Sequence, residues 1–272
     1  MLDFRFFFLA MMAAVVVRIL MGALYGVMLR LLDISLPYPI PMAVSWVTGL
    51  GKYVPGKIAI ISSVIYILGR YNVRASMAAI VPALSSCLIV LISLILSLPL
   101  LFSPLAQDII PFSEVWFILL IIAGVVAVWP RNFLAVANLL LRLAGRPQLN
   151  ITLNLRQMIL AICIVLGQCL FTGLITWCTA RSISPLVGVA SIPLMVSISV
   201  FGGAVGILAI FSPAGLGVTE GVYLLLLSPL MGGEMTALLA VCIRLLQLTA
   251  DILMGIVGML LLHFFKFNEN LQ

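Results

Sequence analysis

Charge is what this chain has least of. Of its 272 residues, 8% are Asp, Glu, Lys or Arg, against about 25% in a soluble globular domain. So few charges cannot keep the surface of a water-soluble fold wet, and that class is excluded. Histidine occurs once, as His263, three residues before Lys266 at the end of the last apolar run. That position reads as a membrane-interface residue rather than a ligand or a base. The five cysteines, Cys87, Cys163, Cys169, Cys178 and Cys242, all fall inside apolar runs, without CxxC spacing or histidine partners. A metal site is therefore not expected, and these thiols read as small buried apolar groups. No GxxxxGK[ST] phosphate loop occurs either, so no nucleotide site and no cofactor are expected.

What the chain has in abundance is apolar surface: 64% of its residues are hydrophobic and its mean hydropathy is +1.33. In lipid every backbone polar group must be satisfied within helices or a closed barrel. Long apolar runs without strict alternation select helices. The expected fold is an all-α, polytopic membrane protein, with embedded segments near 6–29, 38–68, 75–101, 115–129, 157–180, 185–231 and 235–265. The first run is too long for the apolar core of a signal peptide and lacks a small-residue cleavage site, so it reads as a retained helix.

The net charge of +6 does not point to nucleic acid, because the basic residues are spread over short loops and no nucleic-acid motif surrounds them. Positive-inside topology accounts for them. Segment 102–114 holds Asp108 and Glu114 but no Lys or Arg, and is expected to face away from the cytoplasm. Segment 130–156 holds Arg131, Arg142, Arg146 and Arg156 and no acid, and is expected to face it. Within that segment, residues 133–143 read as an amphipathic helix lying along the interface. Lys266 puts the C-terminus on the cytoplasmic side, while Arg5 and Arg30 leave the side of the N-terminus open.

Two of the runs, 38–68 and 185–231, exceed the roughly 20 residues that one straight crossing needs, and each contains a cluster of helix breakers. The first reads Gly49-Leu50-Gly51-Lys52-Tyr53-Val54-Pro55-Gly56-Lys57. The second reads Phe201-Gly202-Gly203, then Ser212-Pro213-Ala214-Gly215-Leu216-Gly217-Val218-Thr219-Glu220-Gly221. Proline removes a backbone donor and glycine tolerates left-handed backbone, so the helix unwinds at both places. The freed backbone groups must be buried in protein or line a wet cavity. A helix starting at 218 would aim its positive end into the protein centre, an anion site by construction, with Glu220 in its first turn complementing the dipole.

Each half of the chain runs helix, broken segment, helix. This order predicts inverted repeats, with re-entrant hairpins at the breaks preferred over complete crossings: repeat 1 over about 1–129, a basic linker over 130–156 and repeat 2 over about 157–272. Further charges lie at membrane depth, where each costs roughly 3 kcal/mol or more and is usually functional or paired. Arg18 is midway along the first helix. Arg244, Gln247 and Asp251 share one face of the last. Arg244 and Asp251 are two turns apart, so each is expected to meet a partner on another helix, Glu220 being the candidate for Arg244. Four cations, Arg18, Lys52, Lys57 and Arg244, against Glu220 and Asp251 make a cationic cavity that suits a phosphate-bearing headgroup.

The two breaks carry a family resemblance. Gly51-Lys52-Tyr53-Val54-Pro55-Gly56-Lys57 resembles the GKY-x-PGK element of the flippase-like membrane region of lysylphosphatidylglycerol synthases and their stand-alone relatives. Pro213-Ala214-Gly215-Leu216-Gly217-Val218-Thr219-Glu220-Gly221 is similar to that family's P-x-GLGVREG element, and Arg244 stands where the family has a downstream arginine. The resemblance covers most of the chain. It implies inverted repeats, re-entrant hairpins and movement of an anionic or aminoacylated phospholipid, or a polyprenyl-phosphate-linked glycan, across a bacterial or archaeal cytoplasmic membrane. Only a few residues follow Phe265, so the family's aminoacyl-transferase domain is not expected and lysyl transfer is not implied. Thr219 replaces a frequent family Arg, and segment 75–101 lacks a frequent Glu.

The leading expectation is therefore a transporter rather than an enzyme. Lys52, Lys57 and Arg244 would contact the headgroup phosphate, with Tyr53 and Arg18 beside them. Pro55, Gly56, Pro213, Gly215 and Gly217 would shape the two tips, and Glu220 and Asp251 would balance charge or carry a coupling proton. Two other readings compete: a membrane transferase using a lipid-linked donor, and a scaffold that docks an enzyme of envelope biosynthesis through residues 131–146.

Overall fold

The computed structural model describes residues 3–54, 58–100, 122, 126, 129–143, 154–209 and 211–269. Its first helix begins where the chain supplies a cap: the Asp3 carboxylate accepts a hydrogen bond from the Arg5 N–H, satisfying a donor that no helix turn could reach. From there α1 runs over Phe4–Leu31 without a breaker. It is followed by α2 (Pro39–Gly49), α3 (Ile58–Gly69), α4 (Ala75–Leu96) and α5 (Pro130–Leu143). The second half continues with α6 (Leu155–Ile183), α7 (Ile192–Leu208), α8 (Val218–Met231) and α9 (Gly233–Glu269). Asn154 caps α6 as Asp3 caps α1, accepting from the Arg156 N–H. Pro39 and Pro193 sit in the first turns of α2 and α7, where their missing N–H groups would have no partner anyway. Pro193 thus starts a helix, whereas α4 continues through Pro82.

Among the described residues there is no strand. Six helical segments are long and apolar enough to cross a membrane: Phe4–Leu31, Ala75–Leu100, Leu155–Ile183, Val189–Leu208, Pro213–Met231 and Gly233–Phe265. The chain is an all-α, multi-pass integral membrane protein. The order helix, broken pair, helix recurs in both halves, as α1, α2/α3, α4 and as α6, α7/α8, α9. Apart from residues 122, 126 and 129, the expected crossing at 115–129 lies outside the described residues, as do the acidic loop at 102–114 and the linker between 144 and 153. The amphipathic helix expected over 133–143 is present as α5, which packs Phe133 against the core.

Packing in lipid relies on close backbone approach, because lipid tails are as apolar as leucine. The longest contact is between α1 and α6. At the crossing of α6 and α7, a Cβ built on Gly173 would lie 2.5 Å from the Val196 Cα, so the two helices meet at a distance only glycine permits. Two apolar clusters result. One joins α1, α3, α4 and α6 around Met28, Leu68, Leu88 and Val165; the other joins the first half of α1 to α7, α8 and α9 around Ile198, Leu227 and Leu239.

Candidate functional site

The first break is a hairpin tip. Helix α2 ends at Gly49, a tight helical turn covers Leu50–Tyr53, and Val54 is extended. Helix α3 then packs back against α2. With 11 and 12 residues, the two helices are each about 17–18 Å long, well short of a hydrocarbon core of about 30 Å. Leu50 fastens the tip to α9, its Cδ1 lying where a Cβ on Gly255 would come within 2.8 Å. Pro55, Gly56 and Lys57 lie outside the described residues, so of the first motif's candidate site residues Lys52 and Tyr53 are placed.

The second break differs in construction. A turn over Pro213–Gly215 joins α7 to α8, and the two helices pack side by side. The helices themselves have 17 and 14 residues; with the short turns that precede them, the segments Val189–Leu208 and Pro213–Met231 reach the length and hydropathy of a membrane span. The backbone of the break is left-handed at Ala214 (φ 51°), Gly215 (φ 69°) and Gly217 (φ 79°). Ala214 carries a Cβ in a region that disfavours one, and its carbonyl is held by the Arg244 Nη1 at 2.9 Å. Glu220 closes the start of α8, its Oε2 accepting the Gly217 N–H at 2.9 Å, as the acidic residue of a capping box does. Thr219, where the resembled family often has Arg, donates to the Gly202 carbonyl at 3.3 Å and ties α8 to α7.

Tertiary structure brings the two tips together: the Leu50–Tyr53 turn lies against the Pro213–Gly215 turn. Around them the intramembrane charges resolve into two groups. Arg244 donates from Nε to Glu220 Oε1 at 2.7 Å, with Nη2 at 2.6 Å from the same oxygen. This is the expected cross-helix pair. Asp251 is 5% exposed and engages three groups. Its Oδ1 lies 2.6 Å from Arg18 Nε. Its Oδ2 lies 2.6 Å from Lys52 Nζ and accepts the Tyr53 hydroxyl at 2.7 Å. One carboxylate on α9 thus joins mid-α1 to the first tip.

These groups surround a cavity of about 310 Å³. Arg18, Lys52, Gly215, Arg244 and Asp251 line it, together with Gln247; Tyr53, Pro213, Gly217 and Glu220 stand around it without forming its wall. Most of the wall is apolar. Ser45 on α2 and Gln168 on α6 also line it, and both were missed by sequence reasoning. Their Oγ and Oε1 atoms are buried without a hydrogen-bond partner. Gln168 was findable as an amide midway along a crossing helix. Ser45 was not, because a helical serine normally satisfies itself on the carbonyl four residues back, as Ser62, Ser63 and Ser85 do here. Among the described residues no group of His, Cys, Asp and Glu is arranged to hold a metal.

The site defines the class only as far as a helical membrane protein with a polar, charged interior cavity. No protein-family model matches the chain, and no curated protein matches it.

Proposed function

We propose that this protein is a flippase-like transporter that moves an anionic phospholipid, or a polyprenyl-phosphate-linked saccharide, between membrane leaflets. One arrangement supports this reading above all. Two chain breaks meet inside a bundle of apolar helices, at a cavity whose wall carries Arg18, Lys52 and Arg244 against the single carboxylate of Asp251. Charges at this depth are costly unless used or paired, and cations in excess of carboxylates attract an anion. The volume of about 310 Å³ is at the lower end of the roughly 300–1,000 Å³ of small-molecule sites. It suits a headgroup whose acyl or prenyl chains stay in the surrounding lipid.

In this reading the two halves are inverted repeats of the kind that place a site near the bilayer midplane. The resemblance to the membrane region of lysylphosphatidylglycerol synthases points the same way. The C-terminus and α5 face the cytoplasm, and the drive comes from an ion gradient, the membrane potential or the lipid gradient itself.

The test is reconstitution into vesicles with a labelled lipid in one leaflet. Anionic lipids or polyprenyl phosphates should exchange between leaflets faster than in protein-free vesicles. The double variant Lys52→Ala/Arg244→Ala should lose at least about tenfold of that rate, the factor corresponding to about 1.4 kcal/mol. Exchange no faster than in empty vesicles across these lipids, or full activity in the double variant, would overturn the reading.

A further inference from the structure

The two oxygens of Asp251 do different work. Oδ1 faces Arg18, which belongs to the continuous helix α1. Oδ2 faces Lys52 and Tyr53, both in the short turn at the first tip. Among the described residues, the polar contacts between that tip and α9 run through this one oxygen atom. The remaining hold is apolar, Leu50 against Gly255. Glu220, the other carboxylate, is committed elsewhere: it pairs with Arg244 and also caps α8.

Charge decides what can compete for Lys52. Among the described residues around the cavity, Arg18, Lys52 and Arg244 face Asp251 and Glu220, which leaves one positive charge over. A group carrying a single negative charge removes the surplus without expelling either carboxylate. Such a group can take the Lys52 ammonium while Asp251 keeps Arg18, so no buried charge is left alone, the outcome that would be strongly unfavourable. A phosphodiester has that charge. A zwitterionic headgroup brings its own cation into an already cationic cavity and gains less.

We propose that Asp251 Oδ2 is a placeholder for substrate: a monoanionic phosphodiester displaces it from Lys52, and the loss of that contact unlatches the first tip from α9. This rests on the transport reading above and deepens it, since it makes the ligand's charge the signal that loosens one wall of the cavity. The tip then pivots on Leu50, and Tyr53, its hydrogen bond to Oδ2 weakened, moves with it.

Hydrogen–deuterium exchange of the peptide covering residues 50–54 reads this directly. The intact protein is measured in nanodiscs of phosphatidylcholine, the same discs containing phosphatidylglycerol, and phosphatidylcholine discs with added inorganic phosphate. Phosphatidylglycerol should speed exchange in this peptide roughly tenfold, the scale of losing a charge-assisted contact, with no change in α6. Asp251→Asn should exchange fast in phosphatidylcholine already and respond no further. Tyr53→Phe, which keeps every charge, should start between the two and still respond, so the proposal stays testable where Asp251→Asn fails to fold. An equal response to inorganic phosphate supports displacement while assigning the anion to the water phase. No response to either anion, or either variant matching the wild type in phosphatidylcholine, overturns the proposal. Lipid transport without any exchange response overturns this inference alone; an exchange response without transport overturns the transport reading and leaves the latch.

Discussion

At the scale of single residues, the site is a set of charges that satisfy one another across helices. Arg244 is the most constrained of them. Its guanidinium reaches Glu220 with two nitrogens and the Ala214 carbonyl with a third, so it braces a left-handed non-glycine residue and neutralises a carboxylate at once. Lysine offers a single point of charge and cannot span both. Arg244→Lys should therefore destabilise the protein nearly as much as Arg244→Ala, by about 1–3 kcal/mol for losing hydrogen bonds to charged groups. A thermal unfolding series in detergent measures this, and a Lys variant as stable as wild type would contradict it. The charged residues at membrane depth were legible from sequence because their rarity makes them stand out, and the pairing of Arg244 with Glu220 followed from their positions. The three-way engagement of Asp251 did not, because Arg18 and Lys52 come from distant parts of the chain.

At the scale of elements, the second break uses its two positive-φ glycines for different reasons. Gly215 and Gly217 both have positive φ, which costs any L-residue with a Cβ about 1–2 kcal/mol. Around Gly217 there is open space, whereas a Cβ on Gly215 would come within 3.0 Å of the Gly206 Cα. Gly217→Ala should carry the conformational penalty alone. Gly215→Ala should add the steric one, of about 1–3 kcal/mol, by forcing α7 and the turn apart. Midpoints of thermal unfolding should fall in the order wild type, Gly217→Ala, Gly215→Ala, and the reverse order of the two variants would refute the packing argument. Sequence marked both glycines as breakers without ranking them, since Gly206 comes from the preceding helix.

At the scale of the whole molecule, the lengths of the helices set the route of the chain through lipid. The first hairpin is made of helices too short to cross, and its two ends, near Ser35 and Arg74, are exposed. A chain that enters and leaves on one side should present both to the same face. Single cysteines at these positions, in a background with the five native cysteines replaced, should react with a membrane-impermeant maleimide from one side only and from the same side. Labelling from opposite faces would show that the segment crosses.

Sequence by itself determined the solvent, the helical class and the places where helices break, because these follow from local composition: apolar runs demand intrahelical hydrogen bonds, and proline and glycine end them wherever they cluster. It placed the outer helices closely and singled out Arg18, Lys52, Glu220, Arg244 and Asp251, charges that the fold brings into pairs. What only the tertiary structure decided is which breaks touch, which carboxylate serves which cation, and that the first break joins helices of 11 and 12 residues that pack back on each other. Those outcomes depend on contacts between residues far apart in the chain, such as Tyr53 and Arg18 with Asp251, and on the close approach of backbones. No local pattern encodes either.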